Sequence, residues 1–166
     1  MITKMKITIR EMEKMEFPLL GEFLFEAIFI PPGEEKPQRD ILQFPELSCY
    51  FNDFGKASDH CLVAERQGMP VGAVWTRIFS ETEKGFGYVD QETPELSMSV
   101  LREYRQQGIG GKLMEAMLSK LQSMGYRQVS LSVDKLNYAS DWYPKFGFEE
   151  VAGDEHSVVM VKRLNG

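Results

Sequence analysis

A chain of 166 residues with 43% hydrophobic side chains can bury a core unaided, and it reads as one domain over residues 1–166. A formal charge of -6 argues against a nucleic-acid binder, which carries a basic surface, and weakly favours a cationic partner. The two cysteines, Cys49 and Cys61, lie outside any C-x-x-C or metal-ligand spacing, so neither a disulfide framework nor a metal site is expected, and a reducing cytoplasm is the simplest setting.

Residues 1–10 lack an apolar leader segment. The most apolar stretch, 19–30, is interrupted by Gly21, Glu22 and Glu26, so no membrane span is expected. Residues 5–10 alternate and predict a first strand. Residues 12–29 place Phe17, Leu20, Leu24 and Ile28 near one stripe of a helix, which Pro31, Pro32 and Gly33 end. Residues 37–55 are less regular and suggest a short helix broken near Pro45. The aromatics Phe25, Phe29, Tyr50 and Phe54 have two readings here, core packing or the wall of a substrate cleft. Residues 61–66 and 71–79 predict two strands joined by a tight turn at 67–70. Residues 80–93, with Gly85, Gly87 and Tyr88, show no period and predict a loop.

Residues 95–101 put Leu96, Met98 and Val100 on one face of a strand. Residues 102–111 then break the pattern with charge, amide side chains and Gly108, Gly110 and Gly111. From Ile109 the apolar residues recur at helical spacing through Leu113, Met114, Met117, Leu118 and Leu121. A glycine turn feeding a helix leaves backbone N–H groups without intrahelical partners, aligned with the helix dipole, which suits a phosphate. Arg102, Arg105 and Lys112 add positive charge. Gln106 and Leu113 exclude a Walker loop, and Leu113 also excludes the dinucleotide fingerprint, which needs glycine there. The remaining pattern is Arg105-Gln106-Gln107-Gly108-Ile109-Gly110. Gly125 suits a helix C-cap, and 128–133 predicts the next strand. Strand, helix and strand in succession call for a parallel crossover beside the antiparallel hairpins. Residues 137–147 predict a short helix capped near Asn137 and ended by Gly147, followed by strands at 148–151 and 157–164.

The glycine turn, with Val100 and Tyr104 before it, resembles the acetyl-CoA loop of the GNAT superfamily of N-acetyltransferases. The stretch from Asn137 to Phe148 resembles that family's second signature in shortened form, with Ala139 two residues and Tyr143 six residues after Asn137. The resemblance implies an α/β (α+β) fold: a mixed central sheet of six to seven strands, helices on both faces, and a splayed fourth strand leading into a pyrophosphate-binding loop and helix. It implies acetyl transfer from acetyl-CoA, without a metal, to a primary amine on a small molecule or peptide by direct attack. A primary amine has a pKa of about 10.4, so a base must take its proton. On this resemblance Glu95 is the base, with Glu92 and Asp90 behind it, and Tyr143 is the acid that protonates the thiolate.

Pro144 departs from the pattern and biases Tyr143 away from helical backbone. The N–H groups of Gln106, Gln107, Gly108, Ile109, Gly110, Gly111 and Lys112 form the implied pyrophosphate cradle, and Arg105 contributes charge or closes the turn. A local bulge is expected to splay the fourth strand so that Val100 pairs with pantetheine, a backbone N–H of the stretch from Met98 to Val100 is the implied oxyanion donor, and Asn137 hydrogen-bonds the pantetheine or the backbone around it. Plain structural roles stand beside these: a strand-end glutamate, a packed tyrosine, a helix-capping asparagine. His60 and His156 are expected at the surface or in loops. A second reading is a non-catalytic acetyl-CoA-binding sensor or partner module. A homodimer is compatible with either, and no nucleic-acid or membrane partner is expected.

Overall fold

The computed structural model describes residues 6–164. Seven strands, β1 (Thr8–Glu11), β2 (His60–Arg66), β3 (Met69–Arg77), β4 (Glu95–Val100), β5 (Gln128–Asp134), β6 (Glu149–Gly153) and β7 (Ser157–Arg163), form one sheet in the order β1-β2-β3-β4-β5-β7-β6. Every neighbouring pair is antiparallel except β4 and β5. The helices are α1 (Leu19–Ala27), α2 (Pro45–Ser48), α3 (Ile109–Ser123) and α4 (Ala139–Trp142). Both faces of the sheet are covered, as the sequence predicts.

The two faces carry separate cores. On one, α3 buries Leu113, Met114, Met117 and Leu121 completely against Val74, Leu96, Val129 and Leu131. All six apolar positions predicted for this helix are buried. Removing such residues from water supplies about 1.5–3 kcal/mol each, which fixes the helix over β2, β3 and β4. On the other face, Leu20, Phe23 and Leu24 of α1 pack with Tyr50, Val63, Ala73 and Trp75. Cys49 and Cys61 are buried free thiols. Gly125, at φ 88°, closes α3 with bonds from Gly125 N–H to Gln122 O and Tyr126 N–H to Leu121 O.

Several boundaries differ from the expectation. Pro18 supplies no N–H, so the predicted helix 12–29 divides into a 3-10 turn, Lys14–Glu16, and α1; Ile28 is already extended. The β2–β3 turn is two residues, Gln67 and Gly68, both at positive φ, and Met69 and Pro70 belong to β3. A register shift at Ala64/Glu65 accommodates Pro70 in the ladder. The first strand begins at Thr8, and Met5, which the periodicity included, lies outside the described residues. Phe148 precedes β6, and that strand runs on to Gly153. Among the described residues no helix is long and apolar enough to cross a membrane.

Candidate active site

The sheet opens in its middle. β4 and β5 pair at Glu95↔Ser130, where Ser130 N–H donates to Pro94 O at 3.0 Å. Beyond that point the two strands diverge. On its other side β4 stays in unbroken register with β3 from Glu95 to Val100. The splay therefore forms without the bulge expected in β4, because β5 turns away while β4 remains regular. Leu101 N–H bonds Val71 O at 2.9 Å, toward β3. By strand alternation, the backbone groups of Met98 and Val100 face the gap.

The glycine turn sits at the open end of this wedge. Gln106 and Gly108 hold positive φ, 62° and 82°, which bends the chain sharply into α3. Among the described residues, the backbone N–H groups of Gln106, Gln107, Gly108, Ile109, Gly110 and Gly111 find no protein acceptor. Lys112 N–H is already bonded, to Gly108 O at 3.2 Å, so it does not belong with the open donors as expected. Arg105 closes the turn: Nε donates to Val100 O at 2.8 Å and Nη2 to Glu26 O at 3.2 Å. That leaves the Val100 N–H, rather than its carbonyl, facing the gap. A Cβ on Gly110 would lie 3.6 Å from the Trp142 ring and 3.9 Å from Met98 Cε. The start of α3, the free edge of β4 and α4 thus meet at one point, and the two sequence signatures come together there.

Glu95 occupies the closed end. It is 3% exposed, so it is not a surface glutamate. The Tyr50 hydroxyl donates to its Oε2, and Oε1 is buried without a partner. Burial pushes the carboxyl up to about 7, against the opposing pull of the Tyr50 hydroxyl. Asp90 and Glu92 are placed otherwise: the Asp90 carboxylate accepts from Glu92 N–H and the Thr93 hydroxyl in an exposed turn.

Tyr143 lies on the opposite face of the sheet from Glu95, packed with the α3 core at the edges of Trp142 and Phe148. Burial raises its phenol to about 12, which keeps it protonated at neutral pH. Its backbone is helical, φ -59° and ψ -39°, despite Pro144, so the expected bias away from the helix is not realised. Asn137 is half-buried, and its Oδ1 accepts from Ala139 N–H at 2.9 Å, a turn-capping contact. His60 is buried rather than at the surface, with Nε2 3.0 Å from the Tyr126 hydroxyl. Phe25 and Tyr50 are core residues, with the Lys36 and Arg39 cations over the Phe25 ring.

Two features escaped the sequence. Tyr50 was legible as an aromatic, and a buried tyrosine needs a partner for its hydroxyl; nothing in the sequence named Glu95 as that partner. Gly85 and Gly87 were legible only as loop glycines. In the fold they press on the Glu95 carboxyl and on the backbone of Leu131 and Ser132.

Residues 57–150, more than half of the chain, match the family model described as acetyltransferase (GNAT) domain. The chain therefore belongs to the GNAT acetyltransferase family, whose members are acetyl-CoA-dependent N-acetyltransferases. No curated protein matches it. Solved structures share the fold. An N-acetyltransferase from Staphylococcus aureus Mu50 is 19% identical over 96% of this chain and 99% of that one, with a TM-score of 0.68. The PaiA N-acetyltransferase from Thermoplasma acidophilum, solved with coenzyme A, is 20% identical over 96% and 99%, with a TM-score of 0.66. A ribosomal-protein-alanine N-acetyltransferase from Brucella melitensis is 20% identical over 94% and 99%, also at 0.66.

Proposed function

We propose that the chain moves the acetyl group of acetyl-CoA to a primary amine, with Glu95 as the base. The observation that carries this reading is the buried Glu95 carboxyl at the closed end of the wedge, with one oxygen unpartnered and a pKa near 7. A carboxylate in that range takes a proton from an alkylammonium far more readily than an ordinary glutamate does. The freed amine nitrogen attacks the thioester carbonyl, the C–N bond forms and the C–S bond breaks. The N–H groups facing the gap at Met98 and Val100 are suited to pair with pantetheine and to stabilise the oxyanion. The open N–H groups at 106–111 suit the pyrophosphate. Tyr143, protonated at neutral pH, can return a proton to the coenzyme A thiolate. The acceptor is a primary amine of a small molecule or peptide, and the net charge of -6 favours a cationic one.

The test is release of the coenzyme A thiol across a panel of amines, run with the wild type and with Glu95→Gln. A base of this kind contributes about 10²–10⁴-fold. The variant is expected to lose that much in kcat/KM near neutral pH while coenzyme A still binds. Turnover equal to the wild type would remove Glu95 from the mechanism, and thiol release with no amine in the panel would remove the transfer itself.

A further inference from the structure

The hydroxyl of Tyr50 stands between the base and the loop that covers it. It donates to Glu95 Oε2 and accepts from Phe86 N–H at 2.6 Å. The residue is fixed from every side. Its carbonyl accepts from Trp75 Nε1 at 3.0 Å, and its ring meets Phe79 edge-on at 5.3 Å and stacks on Phe86 at 6.4 Å. Arg77 Nη1 holds the main chain on both sides of it, at Cys49 O (3.1 Å) and Asn52 O (2.6 Å). Gly85 lies directly over the free oxygen: a Cβ there would overlap Glu95 Oε1 and come within 2.8 Å of the Tyr50 hydroxyl. Phe86, the residue tied to Tyr50, is 59% exposed, so the covering segment has solvent on its far side.

We propose that Tyr50 is the positioning residue of the transfer reaction: its hydroxyl fixes one oxygen of Glu95, reserves the other for the acceptor's proton, and latches the Gly85–Phe86–Gly87 segment over that oxygen until an acceptor displaces it. The proposal rests on the reading of Glu95 as base. It gives the tyrosine a function beyond packing, because a core aromatic needs no hydroxyl shared between a carboxylate and a loop amide.

Charged and titratable groups face Glu95 from several elements. Cys49 and Tyr50 approach from the end of α2. Burial, with Glu83 and Glu95 nearby, pushes the Cys49 thiol up to about 11, and burial raises the Tyr50 phenol. Arg77 comes from β3, opposite Glu95 in register, and is committed to Asp59 and to three backbone carbonyls. Glu83 belongs to the covering loop, and Ser130 of β5 is uncharged. Both Cys49 and Tyr50 stay neutral between pH 6 and 9, so Glu95 governs the acid limb of the rate profile.

The hydroxyl of Tyr50 favours the ionised carboxylate, so Tyr50→Phe makes Glu95 harder to deprotonate. Losing a hydrogen bond to the charged form shifts a carboxyl by about one pH unit, a tenfold change that corresponds to about 1.36 kcal/mol. The acid limb of kcat against pH, measured with acetyl-CoA and the amine selected by the thiol-release panel, is expected to move up by about one pH unit. Activity then falls about tenfold at pH 6 and recovers at pH 9, with the KM for acetyl-CoA unchanged. Gly85→Ala drives a methyl group between the same hydroxyl and carboxylate and is expected to move the limb in the same direction. It also decides the question should Tyr50→Phe fail to bind coenzyme A. An acid limb unmoved in both variants overturns the inference. Glu95→Gln separates the two claims. If it abolishes the limb while Tyr50→Phe leaves it in place, only the inference falls; if it keeps the wild-type profile, the base falls and the inference with it.

Discussion

Glu95 shows how one side chain can carry opposite demands. Its carboxyl titrates near 7 in the folded chain and near 4.5 when unfolded, because burial disfavours the charge. The folded state holds this proton more tightly, so the contribution to stability is complete below about pH 4.5 and disappears as pH rises through 7. By pH 8 the ionised carboxylate costs the fold about 3 kcal/mol relative to its protonated form. Glu95→Gln, which keeps the shape without the charge, is expected to unfold at higher urea than the wild type at pH 8 and at nearly the same urea at pH 5. An identical difference at both pH values would count against the buried, high-pKa carboxyl. The sequence showed a carboxylate at a strand start, which only the family resemblance marked out as a base. Its environment depends on Tyr50, 45 residues upstream, a contact that no local pattern encodes.

At the scale of elements, α3 was the most legible part of the chain. Burial demands an apolar residue every three or four positions, and Ile109 to Leu121 obeys that demand locally. The alternation of Leu96, Met98 and Val100 was legible for the same reason. The break at Pro18 was masked by apolar spacing that continues through it, although a proline's missing N–H interrupts a helix whatever its neighbours are. The beginning of α3 carries its own prediction. Acetyl-CoA at 100 times its dissociation constant is expected to stabilise the protein by about 2.7 kcal/mol, raising Tm by about 5–11 °C. Gly110→Val sets a branched side chain between Trp142 and Met98, at the mouth of the turn. It is expected to abolish most of that thermal shift while leaving the Tm of the free protein within a few degrees. A full shift retained in this variant would place the pyrophosphate elsewhere.

For the whole molecule, a mixed sheet was legible from the hairpins and the crossover, but its strand order was not, since β7 rather than the sequentially nearer β6 pairs with β5; the N-terminal third was legible only as an order of elements. Its helices are short and held by distant partners, such as the buried Arg77–Asp59 pair that anchors the chain after α2. The gap between β4 and β5 has a further consequence. Among the described residues, apart from the rung at Glu95 and Ser130, the half-sheets β1–β4 and β5–β7 are joined by side chains, in the shared core and at the Gln128–Thr93 and His60–Tyr126 contacts, and not by main-chain bonds. A pantetheine arm lying in that gap would supply the missing rungs, so the loaded protein should be stiffer than the empty one. Hydrogen–deuterium exchange with coenzyme A is expected to slow at the amides of Met98 and Val100 and to stay unchanged at Ser99, which already faces β3. The molecule would then acquire its final rigidity from its own co-substrate and soften each time the product departs.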